Sequence, residues 1–243
     1  MDDLDTVGIS IVPLGGRHVN HFWKLLTHLN IPFITLLDLD TEREGGGWGR
    51  IKYAITQLIE NGVEKSKLLT VKNGRVLSDE ELNDMHTWQE YKFIDGWIEM
   101  LERFDVYYSN PLDIDFLMIE SFLNAYLKTL EKNEGPLIKI NDSDKQKRIQ
   151  ELDEGEKNTK EYQERIDSDV KRTLKKNGGN GDTYTDVQRE LMIWYNYFFL
   201  NRGKPVTHLQ ALNYVSEDLL KANSPSVFIN MADKIRKILN IGE

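Results

Sequence analysis

Two short apolar stretches, each ended by a pair of aspartates, stand out in the pattern of hydrophobic and polar positions. One is IPFITLLDLD at residues 31–40, and the other is VYYSNPLDID at residues 106–115. Their apolar residues are consecutive rather than alternating, which is typical of strands covered on both faces of a parallel sheet. Amphipathic, helix-like segments lie at 18–30, 50–62 and 112–130. This order predicts right-handed crossovers and an α/β fold, a parallel sheet flanked by helices.

The first apolar run of the chain, VGISIVPLGG at 7–16, predicts a further short strand that ends at Gly15 and Gly16. The composition then changes near residue 132, where a highly charged segment begins. We expect three parts: an α/β domain at 1–131, a charged insertion or linker outside the core at 132–185, and a helical C-terminal segment at 186–243.

Within the charged segment, one helix is predicted by four apolar residues that recur every fourth position, Tyr162, Ile166, Val170 and Leu174. We expect this helix to be washed by solvent. The sequence NGGNG at 177–181 predicts a flexible break.

Composition limits the classes of function. The chain has 243 residues and no cysteine, which excludes disulfides, thiolate zinc sites and cysteine nucleophiles and fits a cytoplasmic protein. Its apolar runs are shorter than the roughly 20 residues of a membrane span, and its acidic N-terminus does not resemble a signal peptide. The net charge of −9 argues against a surface built for nucleic acids, although bound divalent cations can reverse the field of an acidic cleft.

The aspartate pairs are the clearest candidate chemistry. Asp38 and Asp40 would point the same way on a strand, and adjacent carboxylates repel unless a proton or cation lies between them. Asp113 and Asp115 repeat the arrangement after the second strand. Oxygen ligands favour Mg²⁺ or Mn²⁺, and two pairs at neighbouring strand ends would converge on two ions. The alternative is structural: aspartates end strands, form turns and cap helices.

Three further residues are weaker candidates. Lys204, in RGKP before a capped helix, would neutralise charge on a phosphate or else be a surface lysine in a turn. Arg50 follows a glycine-rich loop without the lysine of a P-loop, so it would contact a phosphate or pair with Glu42 or Glu44. We expect His208 to be structural or exposed.

Taken in order, the segments GISIVPLGG, IPFITLLDLD, SNPLDIDF and RGKP resemble the C-terminal Toprim nuclease region of the overcoming lysogenization defect (OLD) family, which includes the nuclease subunit of the Gabija anti-phage system. The resemblance covers most of 7–130 and 190–240 and implies a two-metal, Mg²⁺-dependent DNA endonuclease or nickase. It implies that Asp38, Asp40 and Asp115, with Asp113 as a weaker candidate, hold the metals. Lys204 would stabilise the transition state, and Gly15 and Gly16 would form the turn.

The chain departs from the family pattern at its start. No residue matches the first Toprim glutamate, since MDDLDTVGIS leads directly into the next strand, and the family's P-loop ATPase is missing. We therefore expect a partner chain of the ABC-type ATPase class, and an oligomer, to complete the site on DNA. Two alternatives are a non-catalytic interaction subunit and a primase or topoisomerase fragment. The second lacks support, because there are no zinc-binding cysteines and no tyrosine is marked as a nucleophile.

Overall fold

The computed structural model describes residues 8–15, 19–139, 146–200 and 204–240, with only the backbone of Lys204. Contacts divide the chain into two compact units. The first comprises Met1–Leu37, Ile51–Tyr108 and Ser226–Glu243, and the second comprises Asp38–Arg50 and Ser109–Pro225. Each unit is described by itself.

Twelve α-helices and four strands lie in the described residues. The strands are β1 (Thr35–Asp38), β2 (Val106–Ser109), β3 (Leu137–Lys139) and β4 (Gln146–Arg148). The helices are α1 (Val19–His28), α2 (Trp48–Glu60), α3 (Lys65–Leu69), α4 (Asp79–Asp84), α5 (Ile94–Glu102), α6 (Ile114–Leu127), α7 (Glu154–Lys157), α8 (Lys160–Leu174), α9 (Asp186–Tyr195), α10 (Lys204–Leu212), α11 (Glu217–Asn223) and α12 (Ser226–Leu239). Short 3₁₀ turns lie at Met85–Thr87, Tyr91–Phe93 and Ile149–Glu151, and a π-helical turn, Asn196–Leu200, follows α9.

The first unit contains most of the predicted parallel strand pair. β1 and β2 are neighbours, and Thr35 N donates to Asp105 O at 2.9 Å at the start of the pair. All four residues of β2 are buried, as expected for a strand covered on both faces. The mixed α/β class with a small parallel sheet and many helices is therefore confirmed.

The sequence-based prediction of a strand at 7–16 is wrong for the described residues of that stretch. Residues 8–15 form no strand, and Ile11 is 78% exposed. Gly8 and Gly15 have φ angles of 71° and 54°, and Pro13 has no N–H to donate, so this stretch cannot form a regular ladder. Residues 67–77 contain the end of helix α3 and an antiparallel bridge between Thr70 and Val76, which encloses a turn at Asn73 and Gly74.

The second unit has a continuous hydrophobic core built from four helices. α6 packs against α9 and α10, and α8 packs against α9. The core residues are Leu112, Phe116, Ile119, Phe122, Ala125, Tyr126, Ile138, Ile149, Tyr162, Ile166, Val170, Leu174, Tyr184, Leu191, Met192, Ile193, Trp194, Tyr195, Phe198, Phe199 and Ala211. Aromatic rings of α6, of α9 and of the turn that follows α9 pack against one another in this core.

Helix α8 corrects the description of 132–185 as an insertion or linker outside the core. The four-residue repeat that predicted the helix is a buried stripe, because Tyr162, Ile166, Val170 and Leu174 all belong to the core of the second unit. The charged residues of α8 cover its other faces, which made the segment look solvated throughout. The high charge of a segment therefore does not exclude it from a core when its apolar residues share one helical face.

The glycine-rich stretch at 177–181 is closely packed. A side chain at Gly178 would overlap the carbonyl oxygen of Leu174, and one at Gly179 would overlap the carboxylate of Glu42. The glycines therefore allow close approach to residues 42 and 174, which corrects the prediction of a flexible break. No helix in the described part of the chain is long and apolar enough to cross a bilayer.

Candidate metal and phosphate site

The second unit brings three of the four predicted aspartates together at the ends of β1 and β2. Beyond the strands, Asp40 N donates to Leu112 O at 2.8 Å, and Thr41 N donates to Pro111 O at 2.9 Å. The chain after each strand therefore continues alongside the other, which places the first aspartate pair next to Asp113. Parallel strands end at the same edge of a sheet, so their terminal polar residues meet.

Asp40 is buried between two arginines. Arg43 Nη1 lies 2.8 Å from Asp40 Oδ1, and Arg50 Nη2 lies 2.6 Å from Asp40 Oδ2. Asp40 follows the end of β1 and has a φ of 53°, so the two-residue alternation of a strand does not extend to it. Only Asp38 of the pair therefore lies on the strand, and Arg50 pairs with Asp40 rather than with Glu42 or Glu44.

Asp113 caps helix α6. Its Oδ1 accepts from Phe116 N at 3.0 Å, so the capping alternative is confirmed for this residue. Its Oδ2 accepts from Tyr195 Oη at 2.6 Å and from Arg43 Nη1 at 3.1 Å. Burial raises the pKa of Tyr195, and the charge of Asp113 raises it further, so Tyr195 stays a neutral donor.

Arg43 links the two aspartate-bearing segments. Besides Asp40 and Asp113, it donates to Thr173 O at 3.0 Å and to Tyr195 Oη at 3.0 Å. Burial alone would lower the pKa of its guanidinium, but these partners raise it, so the cation is permanent. A planar guanidinium with several donors suits this arrangement better than an ammonium group would.

Asp38 has a different environment from Asp40. It is exposed, and its Oδ1 accepts from Ser109 Oγ at 3.0 Å. Protein atoms around the carboxylate partly desolvate it and raise its pKa, and the charges of Asp113 and Asp40 raise it further. The bonds from Ser109 and from the backbone of Ile114 act in the opposite direction. Asp38 is therefore a solvent-accessible carboxylate in a negative local field, which a cation would relieve.

Asp115 turns away to a separate cluster. It is buried, and its Oδ1 lies 2.9 Å from His208 Nε2, while His208 Nδ1 lies 2.6 Å from Tyr126 Oη. The His208 ring also stacks on Phe199 with centroids 4.9 Å apart. His208 therefore has a structural setting between α6 and α10.

Two predicted site residues lie wholly or partly outside the described part of the chain. Gly16 is not among the described residues, and only the backbone of Lys204, the first residue of α10, is described. Gly15 has a φ of 54°, a left-handed conformation that glycine adopts without strain. The assigned roles of Lys204, Gly15 and Gly16 stay predictions.

These donors do not fit the two-metal site that the resemblance implies. No group of three or more acidic or histidine side chains among the described residues is arranged to hold a metal ion. Asp40 and Asp113 are neutralised by arginines, and Asp115 is bonded to His208. The donor chemistry at Asp38 does fit a single hard cation, because Mg²⁺ is commonly held by one or two carboxylates together with water and phosphate oxygens.

A cleft of about 320 Å³ lies beside this cluster in the second unit. Its lining contains four cationic and two anionic side chains together with one amide: Asp40, Arg43, Glu44, Arg50, Lys175, Lys176 and Asn177. Lys175, Lys176 and Asn177 are exposed and come directly after α8. The carboxylate cluster therefore has a neighbouring surface with an excess of positive charge, in a chain whose net charge is −9.

Sequence reasoning missed three residues that organise this region: Glu42, Arg43 and Tyr195. Arg43 carried a local signal, because it is the only basic residue in DLDTERE, a run with four acidic residues. Glu42 and Tyr195 carried none, since their partners are remote in sequence. Glu42 accepts from Gly181 N at 2.6 Å, and Tyr195 bonds Asp113 across 82 positions.

One family model matches part of the chain. Residues 1–40 match the model for the overcoming lysogenization defect protein-like TOPRIM domain. The matched span contains Asp38 and Asp40 and ends before Asp113, Asp115 and Lys204. It supports an OLD-type Toprim assignment for this part of the chain, and with it a nuclease-type function at the family level. No curated protein and no solved structure matches the chain.

Proposed function

We propose that this chain is the nuclease part of an OLD-type, ATP-dependent anti-phage system similar to Gabija, and that it cuts or nicks DNA with Mg²⁺ or Mn²⁺. The observation that carries the proposal is the position of Asp38. Its carboxylate is exposed at the ends of two parallel strands, and partial desolvation, together with the charges of Asp113 and Asp40, raises its pKa. Ligands of open α/β sheets bind at this edge, and the matched Toprim model ends at these aspartates.

The residues have distinct roles in this proposal. Asp38 holds the cation, and Arg43 fixes the relative positions of the two segments through its ion pairs with Asp40 and Asp113. When bound, a divalent cation would help to deprotonate a water molecule and to stabilise charge on the scissile phosphate. Lys204, the first residue of α10, would add a positive charge there, and Asp115 would support α6 through His208.

A partner chain is part of the proposal. The described residues supply too few unpaired carboxylates for two ions, so a second ion requires an acidic group from elsewhere. A chain of the ABC-type ATPase class would provide this group and couple cleavage to ATP, within an oligomer. The isolated chain is then expected to cut DNA weakly or not at all.

The test is Mn²⁺ binding to the full chain, followed by the electron paramagnetic resonance signal of free Mn²⁺. We expect Asp38→Asn to weaken binding by at least about tenfold, because it removes the direct ligand. Asp84→Asn removes an exposed carboxylate of helix α4 and serves as the matched control with unchanged binding. Equal Mn²⁺ affinity in the wild type and Asp38→Asn would refute the site assignment.

Plasmid nicking tests the partner requirement separately. With Mn²⁺, supercoiled DNA should be relaxed slowly or not at all by the chain alone, and any activity should disappear in Asp38→Asn. Rapid nicking by the purified chain would contradict the need for a partner while leaving the metal assignment intact.

A non-catalytic interaction subunit of such a complex is the second candidate. It is favoured by one observation, the neutralisation of Asp40 by Arg43 and Arg50 within the chain. Such a subunit would retain the fold and show no change in melting temperature with Mg²⁺ or Mn²⁺. The nuclease proposal instead expects a rise that depends on Asp38, because a ligand that binds only the folded state stabilises it.

A further inference from the structure

The cleft beside the aspartate cluster has the composition of an anion site. Arg43, Arg50, Lys175 and Lys176 line it, against the two carboxylates of Asp40 and Glu44. The guanidinium of Arg43 is already bonded within the protein, to Asp40, Asp113 and Tyr195. Arg50 is partly exposed and pairs with Asp40, while neither Lys175 nor Lys176 forms an ion pair with any described residue. The mouth of the cleft therefore presents ammonium groups to solvent.

Lys175 is held in a costly backbone conformation. It follows the last residue of α8 with φ 67° and ψ 177°, a region that is essentially restricted to glycine. A lysine at this position destabilises the fold relative to glycine, and strained residues of this kind are concentrated at functional sites. The conformation directs the chain out of α8 and into the residues that line the cleft.

Glu42 fixes the loop that follows these lysines. Its carboxylate accepts from Gly181 N at 2.6 Å, from Thr183 N at 2.7 Å and from Thr183 Oγ1 at 2.6 Å. Its backbone oxygen accepts from Gly179 N at 2.7 Å. The loop is therefore held by both the side chain and the backbone of Glu42. Because Glu42 lies two residues after Asp40, these bonds also fix the position of Lys175 and Lys176 relative to Asp40.

The positively charged side chains of the cleft are placed to bind a polyanion that lies beside the carboxylate cluster. A nuclease must hold the phosphates that flank the cut as well as the scissile one, and lysine ammonium groups bind such phosphates without reading sequence. A net-acidic protein needs a local excess of positive charge for this purpose. The cleft supplies this excess of positive charge, and Asp40 and Arg50 belong to its lining.

We infer that Lys175 and Lys176, together with Arg50, form a binding site for the phosphate backbone of DNA, with Glu42 as the residue that positions the loop. The inference rests on the proposed function for the identity of the polyanion. The two lysines are separate from cation binding, because neither Lys175 nor Lys176 is paired with a described carboxylate of the cluster, whereas Arg50 pairs with Asp40 at 2.6 Å. DNA should therefore bind when divalent cations are absent.

The test measures binding of a fluorescein-labelled 20-base-pair duplex to the full chain by anisotropy in EDTA. We expect the double variant Lys175→Gln with Lys176→Gln to bind about tenfold more weakly at ~100 mM salt. The slope of log affinity against log salt should fall by about 2, since about 0.9 is lost with each phosphate contact. Lys128→Gln with Lys160→Gln changes the net charge equally at exposed positions of the same unit, away from the cleft, and should bind like the wild type.

A second variant separates binding from folding. Lys175→Gly removes the ammonium group and relieves the backbone, so it should raise the melting temperature while it weakens DNA binding. A variant that loses binding only because it is misfolded would show a lower melting temperature. The opposite signs of the two effects therefore identify a site at Lys175.

The outcomes distinguish this inference from the proposed function. Asp38→Asn should bind the duplex in EDTA at least as tightly as the wild type, even though it loses Mn²⁺. Wild-type affinity in the Lys175 and Lys176 double variant, an equal loss in the control, or no DNA binding by the wild type would overturn the inference. Loss of Mn²⁺ binding in Asp38→Asn would still support the proposed function in each of those cases.

Discussion

Arg43 shows how a single residue changes the meaning of the aspartate pairs. Four carboxylates at two strand ends suggested a site for two cations, but the guanidinium of Arg43 takes the place of one of them between Asp40 and Asp113. The remaining exposed carboxylate, Asp38, keeps the raised pKa that its neighbours impose. At this scale the chain divides its acidic residues between a structural ion pair and a cation site.

Arg43 should be a major contributor to stability. Arg43→Met removes a guanidinium shared by Asp40 and Asp113 and leaves two buried carboxylates less compensated, which typically costs about 3–5 kcal/mol. Urea unfolding followed by circular dichroism measures the change. Arg236→Met breaks an exposed pair with Asp233 and should cost less than about 1 kcal/mol. A loss below 1 kcal/mol for Arg43→Met would show that the buried network is not coupled to folding.

At the scale of elements, the loop after β1 is joined to the last turn of α8 and to the segment that follows it. Tyr184 Oη donates to Thr41 O at 2.6 Å, Arg43 Nε donates to Thr173 O, and Glu42 accepts from Gly181 and Thr183. Three consecutive residues of one loop are therefore bonded to a segment about 130 positions later. This connection makes the charged helix α8 and its loop part of the site.

Glu42 provides the test of this connection. In Glu42→Ala the buried amide of Gly181 and the amide of Thr183 lose their acceptor, and each unsatisfied donor costs about 1–3 kcal/mol. Hydrogen exchange of these two amides should accelerate more than exchange within α8. Glu44→Ala makes the same charge change at the exposed end of the same loop and should leave these amides protected. Unchanged exchange of the Gly181 and Thr183 amides in Glu42→Ala would show that Glu42 does not hold this loop in place.

The strand pair and the flanking helices could be predicted from the sequence because their signals are local. The consecutive apolar residues of β1 and β2, and the amphipathic periods of α1 and α2, are visible within windows of about ten residues, whereas α6 is apolar on several faces. The convergence of Asp38, Asp40 and Asp113 also followed from the parallel arrangement of the strands. The capping role of Asp113 was one of the two alternatives that its position before a helix allowed.

The other features of the fold and of the site depend on contacts between residues that are far apart in the sequence. Arg43 bonds Asp113 across 70 positions, and Glu42 bonds Gly181 across 139. The burial of α8 was missed because its apolar stripe faces a core formed with α9, while its charged faces dominate the composition. The strand predicted at 7–16 is absent from the described residues 8–15, where Gly8 and Gly15 have positive φ angles and Pro13 has no N–H to donate.

At the scale of the whole molecule, one chain carries an OLD-type Toprim match at residues 1–40, an acidic strand edge and a basic cleft. The proposed function depends most directly on cation binding at Asp38. The most direct measurement is the anomalous difference map of a crystal of the full chain soaked in Mn²⁺. We expect a peak at direct-ligand distance from the carboxylate of Asp38 and none there in Asp38→Asn. A peak elsewhere, with Asp38 contacting only Ser109 and backbone at saturating Mn²⁺, would contradict the claim.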